Sequence, residues 1–143
     1  MSSIDTPQKA TVLVIDDEVG LLGLIRMALE REGYQVHTAS TAQEAIEYYR
    51  ENCQKVGMVL LDFLIPPMSG ELVFDSLRSL NPDVRVVLLT VCEESVVERM
   101  FRKGLWGYLQ KPFDLQTLAQ KVHEAIRGPT MNSAATPASA HSR

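Results

Sequence analysis

Residues 58–70 read MVLLDFLIPPMSG. An apolar run, Met58 to Leu61, leads straight into Asp62, then Phe63-Leu64-Ile65, Pro66-Pro67 and Ser69-Gly70. Dense apolar runs of this kind are buried strands, and a buried strand that ends in a charge must have a use for it. What that use is depends on what the rest of the chain brings to the same place.

Working outward, the same pattern repeats. Thr11-Val12-Leu13-Val14-Ile15 is a β-branched run that ends at Asp16-Asp17-Glu18. Leu21, Leu22, Ile25 and Leu29 then recur at helical spacing, and Gly33 closes that helix. Tyr34 to Ala39 alternates as a second strand. Ser40 or Thr41 caps a helix carrying Ala45, Ile46 and Tyr49, with Glu44 completing a capping box. Met58 to Leu61 is the third strand, followed after Gly70 by a helix marked by Leu72, Val73, Leu77 and Leu80. Val84 to Leu89 is a fourth strand, and Glu93 to Lys103 a helix with a narrow apolar face ended by Gly104. Leu105 to Leu109 is a short fifth strand, and Asp114 caps a last helix with Leu118, Val122 and Ile126 that Gly128-Pro129 closes. Five strands alternate with five helices. Strands apolar on both faces belong in a parallel sheet covered on each side, so the fold class is α/β, a doubly wound five-stranded parallel sheet.

The bulk composition sets the frame. The chain has 143 residues, 45% hydrophobic and 22% charged, enough for one domain with a real core. A net charge of −4 gives no general pull toward nucleic acid or anionic lipid. No apolar stretch is long enough to span a membrane, and MSSIDTPQKA lacks an apolar signal core, so a cytoplasmic location is expected. Cys53 and Cys92 have no metal or redox spacing and read as reduced thiols. Residues 1–9 form a polar lead, residues 10–128 the domain, and residues 129–143 an Ala/Ser/Pro-rich tail expected to be disordered.

In an open parallel sheet, ligands bind beyond the carboxyl ends of the strands. Here those ends carry Asp16 and Asp17, Asp62, Thr90, and Lys111 of Lys111-Pro112. Each has an ordinary explanation alone: Asp17 as a helix cap, Thr90 as a cap, Lys111 as a loop lysine. Together they converge on one edge from distant parts of the sequence. Crowded carboxylates repel unless a cation joins them, and Mg²⁺ suits hard oxygen ligands. A lysine beside them suits an arriving phosphoryl group.

The succession VLVIDDE, MVLLDFLIPPMSG, VVLLT and GYLQKPF resembles the receiver (response regulator) domain of two-component signalling, CheY-like, over Ala10 to Arg127. The resemblance implies the flavodoxin-like receiver fold with strand order 2-1-3-4-5. It implies that Asp62 accepts a phosphoryl group from a sensor histidine kinase or a histidine phosphotransfer protein. Asp17 and Asp62 would bind Mg²⁺ directly, Asp16 through a bound water, and Leu64 through its main-chain carbonyl. Lys111 would pair with the phosphoryl oxygens, and Thr90 would bond the group once formed. Tyr108 would rotate inward with Thr90, although a tyrosine simply packed in its strand is a serious rival reading. The readout face would be residues 94–103, 105–109 and 114–127, acting on a downstream effector protein or an attached output domain. A homodimer through that face stays open. The resemblance implies a signalling module and not an enzyme in its own right, and no direct nucleic-acid or membrane partner is expected.

One departure stands out. The residue after the switch threonine is usually small in this family and here it is Val91. With Leu64 and Cys92 also flanking the site, slow self-dephosphorylation and poor labelling by small phosphodonors are expected. Three other readings compete. The first is a receiver that docks partners without phosphorylation. The second is an aspartyl phosphohydrolase of the haloacid dehalogenase type, disfavoured because Leu64 stands where a second Asp would act as acid. The third is a dinucleotide-binding domain, disfavoured because Asp16-Asp17-Glu18-Val19-Gly20 replaces a glycine-rich turn. Nothing after Arg127 is long enough for a DNA-binding output domain, so the chain reads as a single-domain regulator or the receiver piece of a longer protein.

Overall fold

The structure, a computed structural model, describes residues 10–91 and 94–128. The polar lead, Cys92-Glu93 and the Ala/Ser/Pro-rich tail lie outside the described residues. Five strands form one parallel sheet: β1 (Thr11–Ile15), β2 (Gln35–Ala39), β3 (Val56–Asp62), β4 (Val86–Thr90) and β5 (Gly107–Gln110). Their order is β2-β1-β3-β4-β5, the expected doubly wound arrangement. Five helices join them: α1 (Val19–Arg31), α2 (Ala42–Asn52), α3 (Gly70–Leu80), α4 (Glu94–Arg102) and α5 (Leu115–Arg127).

The two-faced apolar strands explain the layers. Leu13, Ile15, Val59, Leu61, Val86 and Leu88 point to one side, where Tyr49 of α2, Phe74 and Leu77 of α3, and Met100 of α4 cover them. Val12, Val14, Met58, Leu60, Val87 and Leu89 point to the other, under Leu22, Ile25 and Leu29 of α1 and Leu118 and Val122 of α5. Side chains alternate along a strand, so one run fills both cores.

Helix starts follow local chemistry. Thr41 caps α2 by accepting from the Glu44 N–H, while the Glu44 carboxylate accepts from the Ser40 N–H. Ser69 caps α3 through the Leu72 N–H, and Asp114 caps α5 through the Thr117 N–H. Gly33 and Gly104, both at positive φ, end α1 and α4.

Strand limits differ from the sequence expectation in instructive ways. β3 runs longer at both ends because β1 and β4 flank it and keep its ladder paired out to Asp62. β4 begins at Val86, since the Val84 N–H bonds back to Asn81 in a turn. β5 begins at Gly107, since the Leu105 N–H still bonds to Met100 of α4. Between β3 and α3, Leu64–Ile65 and Met68–Ser69 pair as a small antiparallel ribbon that no periodicity announced.

Candidate functional site

Strand ends build the site. Asp16 follows Ile15, and its N–H bonds to the Ala39 carbonyl at 3.2 Å, extending β1 by one residue. Asp62 is the last residue of β3 and pairs with Leu89 of β4. The Lys111 N–H bonds to the Thr90 carbonyl at 2.7 Å, which carries the β4–β5 ladder one step further. Three backbones therefore deliver two carboxylates and an ammonium to one point. Lys111 Nζ lies 3.3 Å from Asp62 Oδ1 and 3.4 Å from Asp16 Oδ2.

Asp16 is fully buried and Asp62 nearly so, whereas Asp17 is exposed. The Asp16, Asp17 and Asp62 carboxylates place one oxygen each within 4.8 Å of one another. Asp17 is not the cap of α1, because Glu18 holds that position, and the Glu18 N–H bonds to Asp16 Oδ1 at 2.9 Å. The ordinary explanation for Asp17 is thereby removed. Burial first, and the Asp16 charge second, push the Asp62 carboxyl up to about 6, against the pull of Lys111 and the Leu64 N–H. For Lys111, burial works to lower the value, yet the charges of Asp62 and Asp16 prevail and raise it. Negative charge here exceeds what one ammonium balances, and hard oxygen donors in that state suit a divalent cation such as Mg²⁺.

The other expected residues fall around this centre. Thr90 ends β4, is buried, and by strand alternation lies on the Leu88 side of the sheet. Tyr108 sits opposite Leu88 in the β4–β5 register, is half-buried, and packs edge-to-face on Phe101 of α4 with ring centres 6.1 Å apart. Thr90 and Tyr108 thus share the α4 side of the sheet. Leu64 is exposed at the start of the ribbon, and its N–H reaches Asp62 Oδ1 at 3.5 Å. Val91 is 62% exposed. Leu21, Val91, Lys111, Pro112 and Phe113 line a groove of about 400 Å³ beside the lysine. From the sequence Leu21 reads only as part of a helix's apolar spacing and Phe113 only as the end of GYLQKPF, because nothing in the pattern ties α1 to the loop after β5.

Gly70 is fixed by a close approach of two segments. Its backbone needs no positive φ for a tight turn. A Cβ there would lie 2.7 Å from the Asp62 carbonyl oxygen and 2.7 Å from Phe63 Cα. Glycine is required because the first turn of α3 rests directly on the backbone of Asp62.

Residues 12–123 match the family model of the response regulator receiver domain. The chain belongs to the response regulator receiver domain family. Receiver relatives agree. The probable transcriptional regulatory protein TcrX of Mycobacterium tuberculosis is 37% identical over 84% of this chain and 51% of its own length. The sensor kinase CckA of Brucella abortus is 33% identical over 85% of this chain and 13% of its own length. The chain thus spans about half the length of the first of these curated relatives and a small part of the second. A crystal structure of a receiver domain protein from Clostridium thermocellum superposes with a TM-score of 0.78 at 31% identity, over 82% of this chain and 94% of that one. The fold is the receiver fold, and the family is a signalling family of two-component systems. Among the described residues, no helix is long and apolar enough to cross a membrane.

Proposed function

We propose that this receiver takes a phosphoryl group onto Asp62 from the phosphohistidine of a sensor histidine kinase or histidine phosphotransfer protein. One observation carries the reading: the Asp62 carboxylate is buried at a strand end, 3.3 Å from the Lys111 ammonium and clustered with Asp16 and Asp17. In the transfer, an Asp62 oxygen attacks phosphorus, the N–P bond breaks, and the imidazole nitrogen keeps the electron pair and takes a proton. Asp17, Asp62 and the Leu64 carbonyl would hold Mg²⁺, with Asp16 behind them. The ion would supply neutralising charge for the phosphoryl oxygens. Lys111 swings from its carboxylate partners to those oxygens. Rigid strand ends hold the attacking carboxylate in place, so little reorganisation accompanies the step.

The signal then passes to the α4 side of the sheet. Thr90 bonds the new phosphoryl group and draws Val91 inward, and Tyr108 rotates inward with it. The face formed by α4, β5 and α5 meets a downstream effector protein, an attached output domain or a second copy. The groove beside Lys111, with walls of Leu21, Val91, Pro112 and Phe113, supports docking of a donor domain close to Asp62. The proposed domain spans residues 10–128.

The test is intact mass after incubation with Mg²⁺ and either acetyl phosphate or a phosphorylated kinase domain. A single phosphoryl adduct that requires Mg²⁺ and is lost in Asp62→Asn is expected. No adduct from any active kinase would contradict the reading and favour a docking module that works without phosphorylation.

A further inference from the structure

Of the nine residues of α4 only Val97 and Met100 are buried, with Val96 and Phe101 partly buried against the same core, whereas α3 buries Gly70, Val73, Phe74 and Leu77. Charge gives α4 a second attachment. Glu71 of α3 receives Arg99 through two parallel bonds, Nε to Oε2 at 2.9 Å and Nη2 to Oε1 at 2.6 Å. Lys103, directly after α4, reaches Glu71 Oε2 at 2.9 Å and Asp75 Oδ1 at 3.0 Å. Glu71 and Asp75 are one helical turn apart on α3, and Arg99 and Lys103 one turn apart from each other. Two acids on one helix therefore face two bases at the other. The Glu71 side chain is 15% exposed, so this cluster is more sheltered than a typical surface pair. Planar paired bonds from a guanidinium to a carboxylate fix orientation as well as distance.

The position of this cluster gives it reach. Glu71 follows Gly70, which rests on the Asp62 backbone and donates its N–H to the Phe63 carbonyl. At the other end, α4 begins only four residues after Thr90. β3 and β4 pair at Asp62 and Leu89. The elements therefore close a loop: Asp62, Gly70-Glu71, α4, Thr90 and back to Asp62.

We propose that the Glu71–Arg99–Lys103–Asp75 cluster is a clamp that holds α4 on α3 and restrains Thr90 and Val91 from moving toward Asp62. This rests on the phosphoacceptor reading given above. In this arrangement Arg99 and Lys103 are engaged within the chain. Inward movement of Thr90 pulls on α4 against the clamp, so clamp strength sets the balance between the resting and the phosphorylated arrangement.

The test uses Glu71→Gln in the full chain, with two readings. Hydrogen exchange of residues 94–103 in the unphosphorylated protein is expected to quicken by about fivefold, with residues 115–127 unchanged. The rate of Asp62 labelling by acetyl phosphate and Mg²⁺ is expected to rise by a similar factor. Glu71→Arg combined with Arg99→Glu is expected to restore both toward the parent, which a folding defect would not allow. Unchanged exchange would overturn the clamp. Faster exchange with an unchanged labelling rate would overturn its coupling to the site. A parent protein that takes no label from acetyl phosphate or from any active kinase would overturn the phosphoacceptor reading instead, while the exchange data would still decide whether the clamp exists.

Discussion

At the residue scale, the surroundings of Asp62 determine both its reactivity and the lifetime of anything it carries. Val91 and Leu64 are exposed apolar side chains at its rim, 62% and 57% accessible. Neither offers a polar atom to orient a water for attack on an acyl phosphate. The phosphorylated protein should therefore lose its group slowly, and Val91→Ala should speed both that loss and labelling by small donors several-fold. Decay followed by intact mass checks this, and a parent half-life of seconds would contradict it. Gly70 is the second decisive residue. Gly70→Ala forces a Cβ within 2.7 Å of the Asp62 and Phe63 backbone, and no flexible side chain is there to yield. The expected loss is about 1–3 kcal/mol of stability, measured by denaturant unfolding, with weaker labelling as the β3 end is displaced. Asp62 was legible from the sequence because a charge at the end of a buried strand is an anomaly there. The reason for Gly70 was not, since a close approach between segments leaves no local mark.

At the element scale, local signals and long-range contacts separate cleanly. The caps Thr41 and Asp114 were readable because a cap bonds to an N–H only three residues away. Interhelical chemistry was not, because Glu71 and Arg99 lie 28 residues apart and each looks like an ordinary surface charge. Likewise Arg85 donates to the Ala125 and Ile126 carbonyls at the end of α5, and Tyr34, just before β2, meets His123 of α5, with no hint in either segment. The Glu71 contacts also have a pH signature. Hydrogen bonds from Arg99, then Lys103, hold the Glu71 carboxyl at about 2, below its ordinary 4.5. A depressed value means the stabilisation is complete above the unfolded value and is lost as pH falls from about 4.5 toward 2. Glu71→Gln should therefore cost about 1 kcal/mol at pH 7 and progressively less below pH 4.5, and added salt should shrink the difference. Denaturant unfolding at pH 7 and pH 3 gives the comparison. An equal cost at both pH values would contradict it.

At the scale of the whole molecule, the fold was legible because β1, β3 and β4 are apolar on both faces and fit only a sheet covered on both sides, and the five strands alternated with helices. Strand order was carried by the family resemblance, since no residue pattern distinguishes 2-1-3-4-5 from other doubly wound orders. The order matters for function. It sets β1 and β3 side by side and β4 next to β3, so Asp16, Asp62 and Thr90 end on neighbouring strands. The sheet thus converts residues distant in sequence into one acidic site beside a lysine. The central claim is that Asp62, and neither Asp16 nor Asp17, takes the phosphoryl group. The most direct measurement is reductive trapping with borohydride after phosphorylation, followed by peptide mass mapping. An acyl phosphate is reduced to an alcohol, so the modified aspartate is recovered as homoserine. The account predicts homoserine at position 62 only in samples phosphorylated with Mg²⁺. Homoserine at position 16 or 17, or at none of the three in a protein that carries the adduct, would contradict it.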